Sequence, residues 1–363
     1  RLGPPPSPSA GSEFDPAALG TSAATLRSAG VGIVYLIHGT FVGDDPSGVL
    51  AELSRYMPGV RDAPAARIHK LAETALNDRG FYTEDFAADF AAALEAEGEP
   101  PIEVRRFTWS GENHHLGRAD AAVRLIDALA AVELPPGRRI LVWAHSHAGN
   151  VLALVSQLLA GADAAPAAFF EAARPFYRVP LLGRYDLPHW RRMEERLHGG
   201  PHPVLKHPLD VVTFGTPIRY GWNLGEAGRL LHVVHHRPLD DAQPDRAVLP
   251  RSFDDLQGAV GGDYIQQLGI AGTDLPPAPW FWRAWWADRR LSALLQPADL
   301  SIADLFDRLC RGRRVPDAGR TLLVDYGPLD GGTAEHFAGH AVYTRREWLP
   351  FHVSATARWL YDC

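Results

Sequence analysis

The chain has 363 residues, of which 46% are hydrophobic and 22% charged, a composition typical of a globular protein with a large buried core. The formal net charge is -7 at pH 7, and nucleic-acid binding depends on clustered positive charge, so we expect no nucleic-acid partner. The two cysteines, Cys310 and Cys363, are too few for a disulfide scaffold and lack the spacing of metal ligands. Free thiols are therefore favoured over a single bridge.

The beginning of the chain predicts no folded structure. Residues 1–20 are interpreted as a flexible tail or a remnant of cloning, since 4–8 is rich in proline. No apolar stretch reaches the roughly 20 residues that span a bilayer, and no signal peptide is visible. We expect a soluble protein, cytoplasmic rather than secreted, unless an export signal has been removed.

Residues 21–363 predict a single domain in which short apolar runs alternate with helical patterns. The predicted strands are 31–37, 102–108, 140–143, 210–214, 231–235 and 321–324. Apolar residues recur at helical spacing over 122–132 and 148–159. This alternation is typical of βαβ units, so we expect an α/β fold with a mostly parallel central sheet flanked by helices. The carboxyl ends of its strands should carry the functional groups.

Three insertions interrupt the alternation, at about 43–100, 161–207 and 250–320, and we expect them to form a helical cap or lid over the sheet. The last insertion holds an aromatic cluster, Trp280, Trp282, Trp285 and Trp286. One interpretation is a lid or acyl-chain groove, because tryptophan gives a large apolar area. The other, which we prefer, is a helix buried against the insertion with tryptophan filling the core.

The most informative segment is 141–150, which passes from strand to helix with Ser146 at the junction. Such a turn lifts the serine hydroxyl clear of the sheet and places it beside helix N–H groups that favour developing negative charge. The positions two before and two after the serine must be small, and here they are Ala144 and Ala148 rather than the glycines of the usual G-x-S-x-G motif. Gly149 adds room. We favour a nucleophile over a simple helix cap.

The candidate partners of Ser146 follow in the order acid, then histidine. His340, with His336 as the alternative, comes after the last predicted strand and is the candidate base. Asp240, with Asp241 as the alternate, comes after the fifth strand and is the candidate orienting acid. Three further carboxylates remain candidates: Asp245, Asp263 and Asp325.

Backbone N–H groups at two places are candidate donors to an oxyanion. The first strand ends in a His-Gly pair that permits a tight loop, so the N–H of Thr40 or Phe41 can face Ser146 beside the N–H of His147. Adjacent histidines on a strand point apart and cannot readily chelate one ion, so we expect no metal site. The remaining candidates for a substrate pocket or lid are His38, His145, Trp280, Trp282, Trp285 and Trp286.

On these motifs the chain resembles the α/β-hydrolase superfamily, and within it bacterial lipases and esterases. The resemblance is carried by 37–40, the turn 144–149, the strand 211–217 ending in Thr-Phe-Gly-Thr-Pro, and Gly339-His340. It implies an eight-stranded type of sheet with flanking helices, no cofactor, and hydrolysis of carboxylic esters through an acyl-enzyme intermediate with a Ser-His-Asp triad.

The resemblance leaves the substrate open. The expected partner is a small-molecule ester or lipid, with transient contact to a lipid surface, and the oligomeric state is not fixed. Two alternatives stand beside esterase activity: a thioesterase, phospholipase or amidase using the same site, and a non-catalytic interaction protein that retains the fold.

Overall fold

The fold is seen in a computed structural model of the chain. The structure describes residues 16–40, 81–96, 98–160, 164–178, 187–198, 204–239, 243, 246–272, 274–295, 302–310, 318–329 and 336–362. These residues form an α/β fold in which a six-stranded parallel sheet is flanked by helices.

The central sheet confirms the predicted strands, whose bounds agree to within two residues. In chain order the strands are β1 (Val31–Ile37), β2 (Glu103–Phe107), β3 (Arg139–His145), β4 (Leu209–Phe214), β5 (Leu230–His235) and β6 (Arg320–Val324). Their order in the sheet is β2-β1-β3-β4-β5-β6, and every neighbouring pair is parallel. The described residues thus contain six strands, where the resemblance implied a sheet of the eight-stranded type.

The sheet is covered on both faces, which explains why its inner strands are continuous apolar runs. Every residue of β4 and β5 is buried, whereas the edge strand β2 is partly exposed along its length. Along β1, Ile33 and Ile37 pack into one hydrophobic core, while Val34 and Leu36 pack into a second on the opposite face. This alternation follows from the two-residue period of a strand.

Eleven α-helices lie in the described part of the chain. They are α1 (Pro16–Ser28), α2 (Glu84–Ala93), α3 (His115–Ala130), α4 (Ala148–Ala160), α5 (Ala164–Tyr177), α6 (Pro188–His198), α7 (Phe253–Gln257), α8 (Tyr264–Ala271), α9 (Trp282–Leu295), α10 (Ile302–Cys310) and α11 (Leu349–Thr356). The 3₁₀-helices His340–Thr344 and Arg346–Trp348 precede α11, and the π-helical turn Ala357–Tyr361 follows it. One core contains residues of α3, α4, α5, α6 and α9, and the other contains residues of α1, α2 and α11.

The start of the chain differs from the predicted tail of 1–20, since α1 begins at Pro16. The reason is burial: Ala23 and Leu26 of α1 lie in the same core as β1 residues. Residues 1–15 lie outside the described part of the chain. No helix among the described residues is long and apolar enough to cross a membrane.

The three insertions are partly described. Helix α2 lies in the first, α5 and α6 in the second, and α7 to α10 in the third, while residues 41–80 lie outside the description. Helix α10, the last helix of the third insertion, ends at Cys310, a half-buried free thiol, and Cys363 is not described.

The aromatic cluster of the third insertion is exposed, so our preference for tryptophan in a buried core is wrong for three of the four residues. Trp280, Trp282 and Trp286 are 77%, 66% and 50% exposed, and Trp285 is half-buried. Helix α9 instead buries a face formed by Ala284, Ala287, Asp288 and Leu291, three of which pack in the core with α5. Because this face points into the core, Trp282 and Trp286 lie on the opposite, exposed face of the helix.

Candidate active site

The candidate site lies where the strand order reverses. From β1 the chain goes to β2 on one side and then to β3 on the other, so the carboxyl ends of β1 and β3 face a crevice. The loop 38–40 follows β1, and Ser146 follows β3. Both predicted elements of the site therefore meet at this edge of the sheet.

The turn at Ser146 is sharp and is held by hydrogen bonds from neighbouring segments. Ser146 has φ 57°, in the left-handed region that residues with a β-carbon rarely adopt. Its N–H donates to the carbonyl of Phe214 at the end of β4 (2.9 Å). Its own carbonyl accepts from the Thr216 hydroxyl at 2.7 Å and from the Gly149 N–H at 3.1 Å. The conformation is therefore fixed by β4 and by the first turn of α4.

Two glycines allow the backbone to approach this turn. A β-carbon on Gly39 would lie 2.6 Å from the Ser146 Cβ, so the loop after β1 passes directly against the serine. A β-carbon on Gly149 would lie 2.2 Å from the Thr216 hydroxyl oxygen. Thr40 is described and half-buried in the same loop, whereas Phe41 lies outside the described residues. The loop is thus brought to Ser146, and the donor role of the N–H groups of Thr40, Phe41 and His147 stays a prediction.

His340 is the histidine that the structure brings to Ser146. Its Nε2 lies 2.8 Å from the Ser146 hydroxyl oxygen. It opens a 3₁₀-helix directly after Gly339, which has φ 89°, so a glycine is needed at that bend. His336, the alternative, instead accepts the Gly339 N–H at its Nδ1 (3.2 Å).

Among the described residues, the carboxylate against His340 is Asp263, one of the candidates left open. The Asp263 Oδ2 lies 2.8 Å from the His340 Nδ1, and Asp263 is fully buried. Asp240, its alternate Asp241 and Asp245 lie outside the described residues. Asp325 is half-exposed and pairs with Arg237 at 3.2 Å.

Asp263 is positioned by the start of α8. Its Oδ1 caps the helix by accepting the Gln266 N–H at 2.8 Å, which leaves Oδ2 for His340. Its own N–H donates to the carbonyl of His235, the last residue of β5 (3.1 Å). The sequence carried a signal for this position, since aspartate followed three residues later by glutamine is typical of a capped helix start.

A tyrosine provides a second donor to the same carboxylate oxygen. The Tyr343 hydroxyl donates to Asp263 Oδ2 at 3.0 Å and accepts the His235 N–H at 2.7 Å. Burial, with the negative charge of Asp263, raises the pKa of Tyr343 well above its usual value, so the hydroxyl keeps its proton. Tyr343 was not predicted from the sequence to be part of the site.

His38 and His145, predicted as pocket or lid residues, support the loops around the site. The His145 Nε2–H donates to the His340 carbonyl (3.1 Å), and the two rings are 4.7 Å apart. The His38 Nδ1–H donates to the Gly39 carbonyl (2.8 Å), and its Nε2 accepts the Trp109 N–H (3.3 Å). Among the described residues, no hydrogen bond or ring contact joins Trp280, Trp282, Trp285 or Trp286 to Ser146.

A buried charged cluster, which was not predicted from the sequence, adjoins His147. Arg118 on α3 is fully buried and donates to Asp274 (2.7 Å) and to the Tyr220 hydroxyl (2.9 Å). Arg219 also donates to Asp274, and the His115 Nε2 lies 3.2 Å from it. Burial would raise the pKa of Asp274, but its bonds and these positive charges hold it well below its usual value. Apolar periodicity gives no sign of a buried arginine on α3, because charged residues normally mark the solvent face.

Within the described residues, no group of three or more His, Cys, Asp or Glu side chains is arranged to hold a metal ion. Comparison with models of known protein families, with curated proteins and with solved structures found no match. The molecule is thus defined by its own geometry: an α/β protein with a buried serine, histidine and aspartate in hydrogen-bonded series at the carboxyl edge of a parallel sheet.

Proposed function

We propose that the protein is a serine hydrolase of the α/β-hydrolase type that cleaves carboxylic esters. The observation that carries the proposal is the series Ser146 to His340 to Asp263, with two links of 2.8 Å each. In this geometry the His340 Nε2 accepts the serine proton, and Asp263 holds the ring in the required tautomer and stabilises it when charged.

The reaction has two acyl-transfer steps. The Ser146 oxygen attacks the ester carbonyl, and His340 passes the proton to the leaving alcohol. Water then attacks the acyl-enzyme with His340 again as the base, which releases the acid and restores the serine. The N–H of His147 and of the loop at Thr40 are the proposed oxyanion donors. The proposal is supported by the approach of that loop to Ser146, where a β-carbon on Gly39 would lie 2.6 Å from the Ser146 Cβ.

The exposed tryptophans suit a lipid-like substrate. Trp280, Trp282 and Trp286 present aromatic rings to solvent on and just before α9. Tryptophan is favoured at boundaries between water and lipid because its ring is apolar and its N–H is polar. We therefore propose that these tryptophans make transient contact with a lipid surface.

The test is hydrolysis of p-nitrophenyl esters, from acetate to palmitate, by the wild type and by Ser146→Ala. We expect the substitution to lower kcat/KM by at least about a thousandfold, since it removes the nucleophile. The matched control is Ser28→Ala, which changes an exposed serine at the end of α1 and should keep wild-type rates.

Labelling with a fluorophosphonate, read by mass spectrometry, identifies the reactive serine independently of substrate. We expect a single adduct on Ser146, absent from Ser146→Ala and present in Ser28→Ala. Labelling without ester turnover would direct the search to thioesters, phospholipids and amides. Full ester hydrolysis by Ser146→Ala would refute the serine mechanism, and an unlabelled, inactive wild type would favour an interaction protein.

A further inference from the structure

The side chain of His147 has one ring nitrogen tied to the protein and one without a partner. Its Nδ1 lies 3.1 Å from the Asn150 amide nitrogen and 3.5 Å from the Arg118 Nη1. Both neighbours are hydrogen-bond donors only, so Nδ1 must act as an acceptor. The proton of the neutral ring is therefore on Nε2, which has no hydrogen-bond partner among the described residues.

The orientation of the Asn150 amide is fixed by its other bonds, which secures this assignment. Its oxygen accepts the Arg219 N–H at 2.9 Å, and its nitrogen donates to the Pro217 carbonyl at 3.1 Å. Turning the amide over would set its nitrogen against a backbone donor and its oxygen against a carbonyl. The donor facing His147 is therefore the amide nitrogen.

His147 also stays neutral. Burial lowers its pKa well below the usual value, and the positive charge of Arg118 lowers it further. The ring is thus a hydrogen-bond donor at Nε2 throughout the pH range in which esters are assayed.

The surroundings of His147 are positively charged. Arg118 and Arg219 share the single carboxylate of Asp274. Besides burial, the charges of both arginines lower the pKa of His147, while that of Asp274 raises it. Burial lowers the pKa of His115, so that ring does not add a charge. Arg118 is fully buried, and its Nη1 lies 3.5 Å from the His147 Nδ1. A donor close to these arginines favours an oxygen acceptor.

We propose that the His147 Nε2–H donates a hydrogen bond to a second oxygen of the bound substrate, so that the site selects esters with an oxygenated acyl group. This inference rests on the proposed ester hydrolysis at Ser146. The charge of His340 is one of those that lower the pKa of His147, so the His147 ring lies within electrostatic reach of the histidine whose Nε2 is 2.8 Å from the Ser146 hydroxyl oxygen. A plain hydrocarbon acyl group that covers this donor leaves it buried and unpaired, which is unfavourable, so such an ester is the poorer substrate.

The experiment compares p-nitrophenyl methoxyacetate with p-nitrophenyl butyrate, which differ by one oxygen in place of a methylene group. Their different intrinsic reactivity cancels when the ratio of kcat/KM for the two esters is compared between proteins. We expect His147→Leu to lower that ratio about tenfold, mainly through KM, as for one lost hydrogen bond. The substitution keeps the backbone N–H of residue 147. His147→Gln, which retains a side-chain N–H, should recover part of the ratio.

An unchanged ratio in His147→Leu would overturn the inference. Nitrogen-15 NMR of wild-type protein with labelled histidine gives a second test that needs no variant. We expect a neutral ring protonated at Nε2, whose Nε2 signal shifts more with a methoxyalkyl phosphonate on Ser146 than with its alkyl counterpart. A proton on Nδ1, or equal shifts, would also overturn the inference. Failure of the wild type to hydrolyse either ester would instead refute the proposed function.

Discussion

Ser146 shows how a strained residue is stabilised by its neighbours. The left-handed backbone costs a residue with a β-carbon about 1–2 kcal/mol, and the bonds from Thr216 and Gly149 and to Phe214 offset that strain. The sequence predicted this turn, because a strand, a serine and a helix follow one another without a linker. The sequence alone did not show which of the positions beside Ser146 has room for a side chain.

The small residues around the serine are distributed differently from the usual motif. Ala144 and Ala148 are fully buried and fit without a glycine. The position that excludes a side chain is Gly149, where a β-carbon would meet Thr216. That contact joins segments far apart in the chain, so the local pattern could not predict it.

We predict that Gly149→Ala destabilises the protein and impairs its proposed activity. The new methyl group would lie 2.2 Å from the Thr216 hydroxyl oxygen, which bonds the Ser146 carbonyl. Overpacking of this kind costs about 1–3 kcal/mol, measured as the free energy of unfolding in urea. Gly20→Ala is the matched control, since a β-carbon there meets nothing within 4 Å and alanine favours the helix α1. Equal stability of the two variants would contradict the prediction.

At the scale of elements, strands were easier to predict than the acid. The strands are buried on both faces, so each appears as an uninterrupted apolar run that needs no long-range information. Asp263 lies next to the end of β5 in the structure but is distant from it in the sequence. The chain leaves β5 at His235, passes through α7, and returns through an antiparallel bridge between His236 and Gly262. The search for an acid close behind the strand in sequence therefore favoured Asp240.

We predict that Asp263→Asn lowers kcat/KM by roughly a thousandfold or more. The Asp263 carboxylate accepts from the Gln266 N–H, the His340 Nδ1–H and the Tyr343 hydroxyl, and an amide group cannot accept from all three donors and favours the wrong tautomer of His340. Asparagine still caps helices, so α8 should remain folded, as circular dichroism would verify.

Asp325→Asn is the matched control for this prediction. Asp325 follows β6, is half-exposed and pairs with Arg237, so its loss should change kcat/KM by no more than about twofold. Comparable losses in the two variants would mean that the effect of Asp263→Asn does not come from its bond to His340.

At the scale of the molecule, the sequence predicted the layered α/β architecture but not how the insertions pack. Helix α9 packs on α5 through small residues, and its position follows in part from the buried Asp288, which accepts the Leu116 N–H at the start of α3 (2.9 Å). Arg118 and Asp274 form a second link between α3 and the segment before α9. These polar contacts join segments that are distant in the chain, so they do not appear in the hydrophobic pattern. The pattern alone therefore favoured tryptophans in the core.

The buried histidines give the whole molecule a defined dependence of stability on pH. Burial lowers the pKa of His232 and His235 to about 4 and that of His352 to about 3. An unfolded histidine titrates near about 6.5, so below that pH the unfolded chain binds protons that the native protein does not. Stability is therefore present above pH 6.5 and is lost as the pH falls toward the native pKa values.

We predict that the free energy of unfolding falls by at least about 5 kcal/mol between pH 7 and pH 5, which is the sum for these three histidines. Burial also lowers the pKa of His115 and His147, so these two residues act in the same direction. Carboxylates remain ionised in this window and contribute little. Burial alone would lower the pKa of His114, but two neighbouring carboxylates raise it to about 9, so its contribution is nearly constant below pH 6.5. Urea titrations at several pH values measure how the free energy of unfolding changes with pH.

His352→Gln is the matched variant, because glutamine can still accept from the Tyr326 hydroxyl. We expect it to be less stable than the wild type at pH 7, but its free energy of unfolding should fall by about 1.4 kcal/mol less per pH unit. A stability that is constant or rises from pH 7 to pH 5 would show that these rings are not buried in the neutral form.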